Sequence, residues 1–232
     1  MSHTINIYIG PSWAERSYDN NLELDTNPTS IFKCWNLPLV NVSQGGAGNL
    51  NCFMKLYEIK KQSPNIRVVY FLCETMTNMV NTQLYPISIK HLIANKNWFN
   101  KRLEMLRYEM ELLNSLEIQI GIIGAHSDIR DVDVQGLSNL EIIDHSYQNN
   151  IAKQVGAPLR DYCMGFEVIH RAIHMNKEID PSEEIINYHD EGMTWWEQLD
   201  RSGWFFHVHP NRKAVEWYAD YIKPKVIGFL KL

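Results

Sequence analysis

The sequence has few of the features that mark secreted, membrane or nucleic-acid-binding proteins. Its four cysteines, at positions 34, 52, 73 and 163, form no Cys-x-x-Cys pair, which is typical of reduced thiols in the cytoplasm. No apolar run approaches the ~20 residues that span a bilayer, and residues 1–10 lack the pattern of a secretory signal. The formal net charge is −5, and no basic run exceeds Lys60-Lys61, whereas phosphate binding needs clustered positive charge. We therefore expect a cytoplasmic protein without a membrane span or a nucleic-acid partner.

What the sequence does contain is a regular alternation of strand and helix patterns. The predicted strands are Ile5–Ile9, Leu37–Val42, Ile66–Leu72, Gln119–Ile123 and Leu140–Ile143. Helical patterns cover residues 49–61, 98–116, 161–175, 181–199 and 212–221. Such alternation predicts an α/β fold, a three-layer α/β/α sandwich with a mostly parallel, flavodoxin-like sheet.

The length indicates one domain over residues 1–232. Two stretches match the alternation less well, and we interpret residues 76–97 and 125–200 as insertions. Trp195-Trp196, in the second of them, can cover an apolar cleft, although such aromatics more often pack a core.

A turn that contains a serine follows the first strand. Residues 5–9 alternate, with three isoleucines on one side, and Gly10-Pro11 ends the strand directly before Ser12. A serine in such a turn can be a nucleophile, because N–H groups of the next helical turn face whatever its hydroxyl attacks. It can also be only the N-cap of a helix, with Glu15 as its capping-box partner. Both interpretations stay open on this segment alone.

A second informative motif, His209-Pro210-Asn211, comes directly before the amphipathic stretch 212–221. A serine at the first strand-to-helix turn and a His-Pro-Asn before the last helix together resemble the SGNH, or GDSL-type, hydrolases. Residues 10–14, Gly-Pro-Ser-Trp-Ala, are similar to the first sequence block of that family, with Pro11 in place of its acid. His209-Pro210-Asn211 resembles the last block.

The resemblance implies ester or acyl hydrolysis, with Ser12 as nucleophile and His209 as general base. The glycine-rich segment 40–49 is similar to the second block, which implies that the backbone N–H of Gly46, or of the adjacent Gly45, stabilises the oxyanion with that of Ser12. Taken without the resemblance, this segment is equally compatible with a turn that binds nothing. Its spacing fits neither the Walker nor the dinucleotide pattern, so we expect no cofactor.

The chain departs from the family at its third block, where an asparagine normally donates to the oxyanion. Glu74 lies near that position, with Thr75 beside it and Asn78 one helical turn further on. An ionised Glu74 cannot donate a hydrogen bond, but a protonated one can if burial raises its pKa.

A second departure concerns the acid that orients the catalytic histidine. The positions two and three residues before His209 are His207 and Phe206, and neither is an acid. A backbone carbonyl can hold the imidazole instead, or Asp200, Asp190 or Asp128 can reach it from another loop.

Two alternatives to the hydrolase remain. The first is a degenerate SGNH-like domain that has lost catalysis and binds a carbohydrate or a protein, which the seven tryptophans and eleven tyrosines suit. The second is a metal-dependent hydrolase that uses His207 and His209, or His126 with Asp128, although no strong metal-binding spacing is present. His170 and His174, four residues apart, are better explained as a helix face. The leading hypothesis is a serine hydrolase without a metal, acting on a small-molecule or glycan ester.

Overall fold

The structure is a computed structural model that describes residues 4–11, 29–44, 48–73, 98–125, 127–160, 181, 183–206 and 209–232. At its centre is a parallel five-stranded sheet of order β2-β1-β3-β4-β5. The strands are β1 (Ile5–Ile9), β2 (Val40–Asn41), β3 (Ile66–Phe71), β4 (Gln119–Ile123) and β5 (Leu140–Asp144). This order confirms the predicted α/β fold with a flavodoxin-like sheet.

Seven helices and a short ribbon make up the remaining described elements. The helices are α1 (Ile31–Trp35), α2 (Asn49–Gln62), α3 (Trp98–Asn114), α4 (Asp131–Val134), α5 (Tyr147–Val155), α6 (Glu183–Arg201) and α7 (Arg212–Leu230). In the ribbon, β6 (Phe205–Phe206) pairs antiparallel with β7 (His209–Pro210). The predicted helix 161–175 and the predicted insertion 76–97 lie outside the described residues.

Two elements differ in extent from the prediction by more than two residues, and three short helices were not expected. The second strand is shorter than predicted, because Pro38 lacks an N–H and Leu39 N donates to the carbonyl of Leu37 at 2.8 Å, which makes a turn where a strand was expected. The last helix continues through Pro224 to Leu230 because its final turns bury Val226 and Phe229 against the core. The short helices α1, α4 and α5 were not predicted; for two of them a serine N-cap is visible, Ser30 for α1 and Ser146 for α5.

Both faces of the sheet are covered, which accounts for the nearly continuous apolar character of β3. Tyr8, Val69 and Phe71 face α1 and α7, and the neighbouring residues Ile7 and Val68 face the layer formed by α2 and α3. Trp195 and Trp196 of α6 are 5% and 4% exposed and pack into the first of these cores. They are therefore core residues and do not cover an open cleft.

The direction of α7 determines where the His-Pro-Asn motif lies. Near the start of β3, Arg67 donates to the carbonyl of Leu230 at 2.8 Å, at the C-terminus of α7. Near the opposite end of the sheet, the Tyr218 hydroxyl donates to Asp144, the last residue of β5, at 2.6 Å. Helix α7 therefore runs antiparallel to the strands. Its N-terminus, directly after β7, lies at the carboxyl edge, which is the edge of the sheet where the parallel strands end.

Candidate functional site at the carboxyl edge of the sheet

The loops after β1 and β2 leave the carboxyl edge side by side. Val42 N donates to the carbonyl of Tyr8 at 2.9 Å, and beyond the strand ends Gln44 N donates to the carbonyl of Gly10 at 3.2 Å. The parallel pairing therefore continues past both strands, up to one residue before Gly45 and two residues before Ser12. In a doubly wound sheet of this order, β1 borders the point where the strand order reverses, and ligands bind in that crevice.

Asn49, the first residue of α2, connects the second of these loops to the end of β3. It is 2% exposed, and its Oδ1 accepts from Cys73 N at 2.9 Å and from the Tyr70 hydroxyl at 2.8 Å. Its Nδ2 donates to the Cys73 carbonyl at 3.2 Å and to Glu109 Oε2 of α3 at 2.7 Å. We call this side-chain amide and its two bonds to Cys73 the Asn49 clamp. Sequence reasoning missed it.

The His-Pro-Asn motif is held at the same edge by its asparagine. Asn211 Oδ1 accepts from Ala214 N at 3.1 Å, which caps α7, and Asn211 Nδ2 donates to the carbonyl of Gly203 at 2.7 Å. Asn211 N donates to the carbonyl of Trp204 at 3.1 Å. These bonds fix the backbone of β7, which contains His209, between the end of α6 and the start of α7.

Most of the predicted site residues lie outside the described part of the chain, namely Ser12, Gly45, Gly46, Glu74, Thr75, Asn78 and His207. His126, His170 and His174 also lie outside it. The structure describes the backbone of His209 and the surroundings of the loops that lead to the other residues. The roles of these side chains remain predictions.

The three acids considered as partners of the histidine lie on two different elements. Asp200 is exposed in the last turn of α6, four residues before Trp204, whose carbonyl accepts from Asn211. Asp190, on the same helix, is exposed and lies 3.0 Å from Nδ1 of its neighbour His189. Asp128 follows β4 and is 4% exposed. Of the three, Asp200 is nearest along the chain to the ribbon that carries His209.

A cleft of about 410 Å³ with mostly polar lining residues, which sequence reasoning also missed, lies where β4 and β5 end. It is lined by residues 128–131, 144–146, 149 and 150. The sequence feature that marks this cleft is the polar run Asp144-His145-Ser146, which begins at the last residue of β5. His145 Nδ1 lies 2.9 Å from the carbonyl of Ile129, to which it donates, and Nε2 lies 3.9 Å from Asp131 Oδ1. Such a lining can both donate to and accept from a polar ligand.

The carboxyl of Asp144, in the lining of this cleft, is perturbed by its surroundings. Burial raises the pKa of its carboxyl above the ordinary value of 3.8, and hydrogen bonds from Tyr218, Lys225 and Asn150 act in the opposite direction. Because these partners come from α5 and α7, the carboxylate joins both helices to the end of β5.

Neither a metal centre nor a membrane span is found in the part of the chain that the structure describes. No three His, Cys, Asp or Glu side chains in that part are placed to hold a metal ion. None of its helices has the length and apolar character that crossing a bilayer requires.

Comparison with models of protein families and with curated proteins gave no match to this chain. The functional argument therefore depends on the chemistry of the motifs and on the arrangement of the loops at the carboxyl edge.

Proposed function

We propose that the protein is a serine hydrolase that cleaves an ester or acyl group at the carboxyl edge of its sheet. Ser12 is the nucleophile, His209 is the general base, and the backbone N–H groups of Ser12 and Gly46 stabilise the oxyanion. The observation that carries the proposal is the hydrogen bond from Gln44 N to the Gly10 carbonyl at 3.2 Å. It holds together the loop that leads to Ser12 and the loop that leads to Gly46.

The proposed chemistry follows the general logic of activated serines. His209 takes the proton of the Ser12 hydroxyl while the oxygen attacks the acyl carbonyl, and it then protonates the leaving alcohol. Water hydrolyses the acyl-enzyme in a second step that uses the same base. A single oxyanion donor contributes about 2.7–4 kcal/mol to transition-state stabilisation. A chain without the asparagine donor of the third block is therefore slower but still competent.

The direction of α7 supports the role of His209. The N-terminus of this helix and the ends of the parallel strands lie at one edge of the sheet, and Asn211 fixes the backbone beside the histidine. A base is useful only if it comes within hydrogen-bonding reach of the hydroxyl that it deprotonates. A histidine that preceded a helix of the opposite direction would lie at the wrong edge.

Covalent labelling with a fluorophosphonate tests the proposal without knowledge of the substrate. The intact protein is compared with Ser12→Ala and His209→Ala, and with Ser43→Ala, which removes a hydroxyl from the loop after β2 at the same edge. We expect labelling of the intact protein and of Ser43→Ala, and loss of labelling in the other two variants.

Absence of labelling in the folded, intact protein would contradict the proposal. It would favour the alternative in which the fold binds a carbohydrate or a protein partner without catalysis. Labelling that persists in Ser12→Ala would equally contradict it, because the reactive group would then be another residue.

A further inference from the structure

We propose that Asn49 is a positioning residue of this active site, and the inference rests on the proposed function. Its side chain sets the spacing between the loop after β2, which supplies Gly46, and the end of β3, which leads to Glu74. Asn49 is not assigned any contact with the substrate. It acts through the backbone that it holds.

The Asn49 clamp pairs with Cys73 as the backbone of a neighbouring strand does. N–H groups alternate in direction along a strand, and Leu72 N donates towards β4, to the carbonyl of Ile123 at 2.8 Å. The N–H of the next residue, Cys73, therefore points towards β1. The described pairing of β1 with β3 ends at Ile9 and Tyr70, three residues before Cys73. Asn49 accepts from this N–H and donates to the carbonyl of the same residue, as a neighbouring backbone would.

Together with the two bonds of the clamp, the hydrogen bonds to Tyr70 and Glu109 specify an asparagine at position 49. Cys73 N and the Tyr70 hydroxyl both reach Oδ1, whereas Nδ2 reaches a carbonyl and the carboxylate of Glu109. The site thus needs acceptor and donor atoms on one planar group. An aspartate would bring a second carboxylate against Glu109 and would lose both donated bonds.

The chain connections of the clamp point to a role beyond stability. Asn49 lies three residues after Gly46, and Cys73 directly precedes Glu74. A displacement of about 1 Å at a catalytic group can slow an enzyme about 100-fold, because alignment is needed chiefly in the transition state. Loss of the clamp should therefore lower the maximal rate of reaction at Ser12 and leave initial binding nearly unchanged.

The test measures the maximal rate of fluorophosphonate labelling and the half-saturating probe concentration, on protein that urea unfolding shows to be folded. The variant is Asn49→Ala, and the matched control is Asn114→Ala. Asn114, the last residue of α3, accepts from Asn139 N at 3.0 Å, and it lies at the opposite edge of the sheet. If Asn49→Ala does not fold, Tyr70→Phe takes its place as the test variant, because it removes one hydrogen bond to the same side-chain amide.

We expect Asn49→Ala to lower the maximal labelling rate about ten-fold or more, with the half-saturating concentration within about two-fold of that of the intact protein. Tyr70→Phe should lower the maximal rate by a smaller factor, and Asn114→Ala should change neither quantity by more than about two-fold. A fall in rate that Asn114→Ala shares, or a rate for Asn49→Ala that matches the intact protein, overturns the positioning role and leaves the proposed function standing. An intact protein that is not labelled overturns both.

Discussion

Replacing Tyr218 by phenylalanine should destabilise the protein by an amount that depends on pH. The Tyr218 hydroxyl donates to Asp144 Oδ2 at 2.6 Å, and both residues are buried between α7 and β5. A hydrogen bond to a charged group contributes about 1.5–3 kcal/mol, and loss of the donor leaves the buried carboxylate with Asn150 at 2.7 Å and Lys225 at 3.5 Å. We therefore expect a loss of about 1.5–3 kcal/mol in the free energy of unfolding at pH 7.

The sign of the pH dependence follows from the raised pKa of Asp144. Burial raises the pKa of the Asp144 carboxyl in the folded state above 3.8, the ordinary value that applies to the unfolded state. Between the unfolded pKa and the folded pKa, the folded state therefore binds more protons than the unfolded state. The stability that this group contributes is present below its unfolded pKa and is lost as pH rises through its folded pKa. Removal of the Tyr218 hydroxyl takes away a partner that favours the ionised form. The penalty is thus full at neutral pH and falls towards about 0.5–1.5 kcal/mol in acid, where the carboxyl is protonated.

Urea unfolding from pH 4 to pH 8 measures this difference. Tyr221→Phe is the matched control, since it makes the same change on the same helix at a residue that is 41% exposed, and we expect an effect within about 0.5 kcal/mol. A Tyr218→Phe penalty that stays constant across the range, or that grows as pH falls, would refute this account of the Asp144 carboxyl.

Two further predictions concern packing and thiol reactivity. A Cβ at Gly124 would overlap a backbone carbonyl of the loop after β5, whereas at Gly121 it would overlap the end of the Ile143 side chain, which can move. Gly124→Ala should therefore cost more than the about 1–3 kcal/mol expected for Gly121→Ala, and the reverse order in urea unfolding would contradict the packing described here. In thiol titration of a Cys163→Ser variant, the half-buried Cys34 should react before Cys73, because burial and the neighbouring Cys52 thiol raise the pKa of Cys73. Equal rates of reaction for Cys34 and Cys73 in the folded protein would contradict the buried environment described for Cys73.

Sequence reasoning predicted the sheet well because its central strands are buried on both faces. The run in β3 and the alternation in β1 leave few other interpretations, and the strand order confirms the fold that they imply. The short helices were missed for a physical reason: α1 has five residues and α5 has nine, too few for an apolar period to stand out. Their stability comes from packing, as in Trp35, whose Nε1 donates to the carbonyl of Ala219 at 2.9 Å.

The candidate site was predictable only in part. Chain order alone places the loops after β1, β2 and β3 at one edge of a parallel sheet, and the His-Pro-Asn motif marks the start of α7. The Asn49 clamp was not predictable, since its partners Cys73 and Glu109 are 24 and 60 residues away and no local pattern links them. The cleft at β4 and β5 escaped notice for the same reason, because its lining comes from two separate loops.

The most direct test of the central claim is the distance between Ser12 Oγ and His209 Nε2, measured in a crystal structure of the protein. The account predicts that the two atoms lie within hydrogen-bonding reach, about 2.6–3.2 Å, at the carboxyl edge of the sheet. A separation of about twice that distance, with both side chains well ordered and another group between them, would contradict the proposed serine hydrolase.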